Sequence, residues 1–415
     1  LTRTIAILHY AGPPTVGGVE STIAHHARAL ADLGYPVRVV SGAGSAFDER
    51  VETLVDPLFG STHPDVLRVK RELDAGQRTD AFDALTARIV GRLREALSRC
   101  EVCIVHNIHT LHKNLALTAA LARLQQEGGF RSIAWCHDLA WTNAQYLPEL
   151  HHGYPWDLLR LAWARTRYVT VSEARRTELA VLLGISPQSI AVAVPGVDLA
   201  RFFRWTALTQ RLVSRLCLLD ADGILLLPAR LTRRKNIALA LRVLAELRRQ
   251  TGRDFRLIVT GPPGPHNPTN PGYLGELLAL RRALNLEQAA HFLYAFGENG
   301  DEPLRVDDDT MADLYQIADA LFFPSLQEGF GIPILEAGLS RLPIFCADIP
   351  PFRASGQKEV IYFDPVHEPE AHLAERVLQA LEEDASYRLR LRVRQSYRWE
   401  VLVRNVLVPL LEEEP

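Results

Sequence analysis

The stretch ALFFPSLQEGFGIPILE, residues 320–336, decides how this sequence is read. Its first half, ALFFPS (320–325), is a short apolar run with no polar alternation. That pattern suits a strand buried on both faces. Its second half carries two glutamates, Glu328 and Glu336, eight positions apart, with Gly-Phe-Gly and a proline between them. Gly329 and Gly331 permit unusual backbone angles and close approach of a ligand. Pro333 fits the first turn of a helix. The freed N–H groups of Phe330, Gly331 and Ile332 would then point at an anion, while Glu328 in the loop and Glu336 one turn into the helix could each accept from a pair of hydroxyls. The plainer alternative is two surface glutamates near a helix start, where the dipole favours them in any case.

Working outward, eleven further runs resemble ALFFPS. In the first half they are TIAILHY (4–10), YPVRVVS (35–41), VCIVHNI (102–108), SIAWCHD (132–138), YVTVSE (168–173) and IAVAVPG (190–196). The second half adds ILLLPAR (224–230), RLIVTGPP (256–263), AHFLYAF (290–296), PIFCADI (343–349) and VIYFDP (360–365). Helix-like segments separate them. Alternation of this kind predicts an α/β doubly wound parallel sheet, and so many strands in 415 residues predict two such sheets in series. The expected division is 1–203, 204–390, and a basic, aromatic helical tail from 391 to 415. The turn-rich stretch GPPGPHNPTNPG (261–272) reads as a loop. The segment from Phe47 to Asp83 reads as polar and loop-rich, and is assigned to the acceptor side.

In open α/β sheets, ligands bind beyond the carboxyl ends of the strands. Two more stretches lie there. GGVE (17–20) follows the first strand, and Gly17 and Gly18 open a helix expected from about Val19 to Leu33, with Gly34 just past its end. ARLTRRKN (229–236) follows ILLLP. Its Arg230 and Lys235 could converge on one diphosphate, the first as a fork and the second as a point charge, whereas Arg233 and Arg234 read as spare, solvated cations. The alternatives are a plain strand–helix turn and an exposed basic loop. His106, His109 and His112 stand three apart in HNIHTLHKN (106–114). On a helix they would share a face and could hold a metal, but the spacing matches no familiar zinc pattern, and the favoured reading is that they line the cleft at the end of strand VCIVHNI or sit singly.

The composition bounds the partners. Net charge is −3, with 47% hydrophobic and 23% charged residues, which favours neither nucleic acid nor an anionic membrane. No apolar run is long enough for a transmembrane helix. LTRTIAIL reads as a strand and not a signal peptide, and Leu1 as the residue after a trimmed or omitted initiator. Five scattered cysteines suggest reduced thiols and a cytoplasmic protein, with peripheral attachment to a membrane left open. Cys100 and Cys103 form a lone CxxC, a weak redox or metal signal at the entry to a buried strand. No GxGxxG follows the first strand, which argues against a dinucleotide-dependent oxidoreductase.

The two glutamates with seven residues between them resemble the signature of retaining GT-B glycosyltransferases of family four. The resemblance extends along the chain. GGVE is similar to the family's amino-terminal glycine loop, WCHD (135–138) to the segment carrying its histidine, here His137, and ARLTRRKN to the arginine–lysine pair. VSE (171–173) and PGVD (195–198) fall between them in order, and YRWE (397–400) resembles the tail that crosses back to the amino-terminal domain. Two departures stand beside the site: Pro195-Gly196 where Asn-Gly is usual, and Arg341 where glycine is frequent. The resemblance implies a hexosyl transfer from a nucleotide diphosphate sugar (UDP-, GDP- or ADP-linked) with retained configuration, without metal or other cofactor. Arg230, Lys235 and the amides around Phe330, Gly331 and Ile332 would bind the diphosphate, Glu328 the donor sugar and Glu336 the ribose. His137 would contact the sugar, and Gly17 and Gly18 the phosphate or acceptor. The acceptor is left as a sugar, polyol, sugar phosphate, lipid-linked sugar or glycan. The rival readings are a phosphorylase, a nucleotide-sugar epimerase, or a non-catalytic nucleotide-sugar-binding subunit.

Overall fold

The computed structural model describes residues 4–263, 270–296 and 303–413; positions 264–269 of the turn-rich stretch lie outside them. The chain forms two compact units. One takes the residues up to Val197 together with those from Tyr397 onward, and the other runs from Asp198 to Ser396.

The first unit holds β1 (Ile5–His9), β2 (Val37–Ser41), β3 (Val51–Val55), β4 (Val102–His106), β5 (Arg131–Cys136), β6 (Thr166–Thr170) and β7 (Ile190–Val192) in the order β3-β2-β1-β4-β5-β6-β7. The second holds β8 (Gly223–Leu227), β9 (Phe255–Val259), β10 (Ala290–Phe292), β11 (Ala320–Phe323), β12 (Ile344–Ala347) and β13 (Ile361–Phe363) in the order β10-β9-β8-β11-β12-β13. Every pairing is parallel. Each sheet therefore contains the 3-2-1-4-5-6 order of a Rossmann fold, whose strand order reverses at a switch point. The switch points lie between β1 and β4 and between β8 and β11.

All twelve apolar runs contain a strand, and the burial explains why. In β1, Ile5 and Ile7 enter one core while Ala6 and Leu8 enter another, because successive side chains point to opposite faces and helices cover both. The sequence reading missed β3. It is an edge strand with only Val51 buried, and its Glu52 meets Arg38 of β2 at 2.8 Å in the open. Half-exposed edge strands lack the continuous apolar signal of inner ones. The stretch 47–83, read as loop-rich, in fact contains β3, the helix Pro64–Asp74 and the start of the helix Asp80–Ala96. The helix after β1 runs Gly18–Asp32, within a residue of expectation, and Gly34 follows at φ +84°. No helix among the described residues is long and apolar enough to cross a membrane.

The tail belongs to the first unit. Val403, Leu407, Leu410 and Leu411 join the core formed by Ile5, Ile7, Ile23 and Ile104. Trp399 anchors its start, buried against Gly196, where an added Cβ would lie 2.5 Å from the indole, and stacked on His25 at 4.8 Å. Arg131 anchors its end. The guanidinium, on a nearly buried side chain, donates to the carbonyls of Leu410 (3.1 Å), Leu411 (2.6 Å) and Glu413. These are the carbonyls that a helix end leaves without intrahelical partners. Arg131→Met should keep most of the packing volume yet remove these three hydrogen bonds, lowering the stability of this unit by about 2–3 kcal/mol. Urea unfolding checks the loss, and earlier release of carboxyl-terminal residues by carboxypeptidase places it at the tail.

Candidate active site

In the second unit the groups gather at the switch point between β8 and β11. After β8 the chain passes Pro228 and Arg230, makes a short 3-10 turn over Arg233–Lys235, and enters the helix Ile237–Thr251 through Asn236 at φ +50°. After β11 it makes the loop 324–331 and enters the helix Ile332–Leu339 through Gly331 at φ +100°. That angle suits glycine, and space demands it too, since a Cβ at 331 would lie 2.8 Å from the Phe352 ring. Pro333 sits in the first turn, where its missing N–H costs nothing.

Lys235 and Glu328 meet. The lysine Nζ donates to Glu328 Oε1, and both side chains are about one-tenth exposed. Burial pulls the ammonium below the usual lysine range; Glu328 pulls it back up, and the like charges of Arg234 and Arg230 pull it down. The ammonium also lies 5.0 Å from the Phe323 ring centroid, at the end of β11. Arg234, read from sequence as a spare, solvated cation, is exposed, and it also braces the glutamate loop. It donates to Glu328 Oε2 at 3.3 Å and to the Gln327 carbonyl at 3.0 Å, and its own carbonyl accepts from Leu326 N–H at 2.8 Å. Arg233 is engaged as well, with Glu276 at 2.5 Å and the Tyr273 ring. Arg230 is exposed beside Lys235. Glu336, half-buried in the helix, accepts from Tyr315 Oη at 2.6 Å. Phe330 and Ile332 are exposed at the helix start. One unit thus holds Lys235, Glu328 and Gly331 together at a switch point, with Arg230 close by and Glu336 a turn away.

In the first unit the same edge carries imidazoles. His9 ends β1, His106 ends β4 and His137 follows β5, while His26 sits in the helix Gly18–Asp32. His9 Nδ1 donates to the His106 carbonyl at 2.8 Å, and its Nε2 lies 3.9 Å from Glu20. His106 Nδ1 and His137 Nε2 are 3.0 Å apart. Burial pushes His9 and His137 down to about 4 and His26 to about 3, and takes His106 well below the ordinary imidazole range. The cluster is therefore neutral near pH 7. Asn107, at φ +60°, turns the chain after β4, and its Oδ1 accepts from the backbone N–H of both His137 (2.8 Å) and Asp138 (3.2 Å). Gly17 is extended at φ 179°, and the nearest atoms to a Cβ there belong to the flexible Glu20 carboxylate. Nothing lies within 4 Å of where a Gly18 Cβ would be, so the protein's own packing does not require glycine there.

The histidines of HNIHTLHKN do not share a helix face. The segment is irregular, and its three rings go to different partners: His106 to His137, His109 to Trp163 at 4.3 Å, and His112 to Glu149 at 2.6 Å. His112 lies near Asp74 and Glu149, but Lys70 bonds both carboxylates at 2.7–2.8 Å and supplies the positive charge between them. Cys100 and Cys103 are buried free thiols pushed up by desolvation, which disfavours the reactive thiolate. Sequence reasoning missed Arg234, Asn107, His9 and His26. His9 and Asn107 could have been signalled only by their positions at strand ends, and His26 and Arg234 carried no signal of their own.

The profile described as "Glycosyl transferases group 1" matches residues 218–398, and that described as "Glycosyltransferase Family 4" matches residues 16–201. A D-inositol 3-phosphate glycosyltransferase of Kineococcus radiotolerans is 33% identical over 45% of this chain and 40% of its own length. A mannosylglucosylglycerate synthase of Petrotoga mobilis is 25% identical over 61% of this chain and 60% of its own. The chain thus spans less than two thirds of these two relatives. An MMP alpha-(1->4)-mannosyltransferase of Mycolicibacterium hassiacum is 25% identical over 86% of this chain and 82% of its own length. With both halves matched in sequence and both sheets in Rossmann order, the chain belongs to the GT-B glycosyltransferases of group 1, family four.

Proposed function

We propose that the protein moves a hexosyl group from a nucleotide diphosphate sugar to a hydroxyl acceptor and retains the anomeric configuration. The observation that carries this reading is the convergence of Lys235, Glu328 and the Gly331 helix start at the β8/β11 switch point. In the transfer, the bond from the anomeric carbon to the diphosphate oxygen breaks and a bond to the acceptor oxygen forms on the same face. The acceptor's proton passes to the departing phosphate oxygen. The barrier depends on charge building on that diphosphate, and fixed positive groups stabilise it without reorganising. Lys235, Arg230 and the amides at the start of the helix Ile332–Leu339 are those groups in this reading, and they take the part a metal would otherwise play. Glu328 accepts from the donor sugar's hydroxyls and Glu336 from the ribose. His137 acts on the transferred sugar. Gly17 and Gly18 lie at the phosphate or the acceptor, and the open space above Gly18 supports that.

The Lys235–Glu328 pair adds a step. Donor binding exchanges one ion pair for two contacts, diphosphate on Lys235 and hydroxyls on Glu328. Glu328 is tied to two cations and Glu336 to Tyr315, which supports binding roles for these two carboxylates and not a covalent one. The names of two relatives specify mannosyl transfer, so GDP-mannose heads the donor screen, followed by the UDP and ADP conjugates.

A ligand that binds only the folded state raises the melting temperature. A thermal-shift screen of UDP, GDP, ADP and their glucose and mannose conjugates should give a shift for one base, and Lys235→Ala should abolish it. No shift with any of them would remove the donor site from this reading. Glu328→Gln keeps the shape but loses the charge. It should keep the nucleotide shift and lower kcat by on the order of 10²-fold, the scale of one lost electrostatic contact in a transition state. Product anomers are checked by NMR, and an inverted anomeric centre would overturn the retaining mechanism.

A further inference from the structure

The histidine pair at the ends of β4 and β5 has a directionality that the hydrogen-bond pattern fixes. His106 Nδ1 and His137 Nε2 are 3.0 Å apart, so one donates and the other accepts. If His137 donated, neutral His106 would carry its own proton on Nε2. That atom is fully buried and has no partner among the described residues. A buried N–H without an acceptor is among the rarest defects in folded proteins. If His106 donates, only a lone pair is left there. The ring is fully buried between Trp135 at 5.7 Å, His26 at 5.8 Å and His137, and a half-turn would put a carbon against His137 Nε2 and forfeit the hydrogen bond. The adjoining residue restrains the partner's backbone, since Asn107 Oδ1 accepts from both His137 and Asp138 N–H groups.

We propose that His106 is a positioning residue: its Nδ1–H donates to His137 Nε2 and fixes His137 as the Nδ1–H tautomer, a hydrogen-bond donor to the transferred sugar and not a base. The acceptor lone pair of His137 is then occupied inside the protein. Its Nδ1 has no partner among the described residues, and the side chain is only half-buried. A group that can only donate suits a sugar or phosphate oxygen gaining negative character. It cannot take the acceptor's proton, which leaves the departing phosphate to do so. This inference rests on the transferase reading for its substrate, but the tautomer itself does not.

The test is NMR of the full chain carrying isotopically labelled histidine, with His137→Gln identifying the His137 signals. The expected pattern is a pyrrole-like Nδ1 and a pyridine-like Nε2 at His137. The reverse pattern overturns the proposal. His106→Phe retains a ring against Trp135 but has no donor, and should let His137 drift toward the Nε2–H form that free imidazole prefers. His106→Asn places an amide donor near the former Nδ1, and should keep the wild-type pattern. A His137 tautomer unchanged in His106→Phe would sink the idea. With donor and acceptor supplied, His106→Phe should lower kcat by about ten-fold, the worth of one hydrogen bond made in the transition state, with donor KM unchanged. His106→Asn should restore kcat. Equal loss in both variants marks a packing role and overturns the positioning one. If the wild type transfers no sugar at all, the transferase reading fails, and the NMR pattern still decides the tautomer.

Discussion

A sheet in which every ladder is parallel has one edge where all the carboxyl ends emerge. Everything functional in this protein depends on that constraint. Parallel neighbours cannot be joined by tight turns, so each connection is a crossover, and helices cover both faces. The faces are then closed to ligands. What stays open is the strand-end edge, and there the two connections at the switch point diverge to opposite sides of the sheet. In the second unit that divergence separates the turn 233–235 from the loop 324–331 and lets Lys235 and Glu328, 93 positions apart, face each other. In the first it does the same for the ends of β1 and β4, where His9 and His106 meet.

The same constraint decides what a sequence can display. Inner strands buried on both faces are continuous apolar runs, so twelve of the thirteen strands were legible, and their alternation with helices gave the fold class. β3 was not, because an edge strand with one buried residue carries no such run. The glycine at 331 was legible as well. A left-handed turn before Ile332, pressed against Phe352, excludes other side chains, and the Gly-Phe-Gly-x-Pro pattern displays that.

The pairwise chemistry was only half legible. Motif reading assigns each residue a ligand, and it assigned Lys235 a phosphate and Glu328 a sugar. It did not suggest that the two would hold each other. Arg234 was read as spare and solvated; it is exposed, yet it is not spare, because it braces Glu328 and Gln327 across more than 90 positions. For the histidines of 106–114 a shared metal face was the lesser reading, under a helical assumption, and lining the strand end or sitting singly the favoured one. The chain there is irregular, so each ring found a separate environment. Local spacing predicts shared faces only where the local structure is regular.

The two units solve one electrostatic problem in opposite ways. The second concentrates charge, with two arginines around a buried lysine, and keeps it bearable through one carboxylate that a donor would have to share. The first removes charge: four imidazoles lie at a strand-end edge, and burial holds them neutral. Neutral imidazoles in contact must settle which nitrogen carries each proton, and buried surroundings leave few consistent choices. His9 must donate from Nδ1, because its partner is a carbonyl. His106 must donate from Nδ1, because its other nitrogen has no acceptor. His137 then inherits its tautomer from the residues behind it. A binding group with a fixed donor needs no charge of its own to discriminate an oxygen gaining electrons from one that is not. That is why a neutral set is compatible with the proposed reaction, whose charge would develop on the leaving diphosphate.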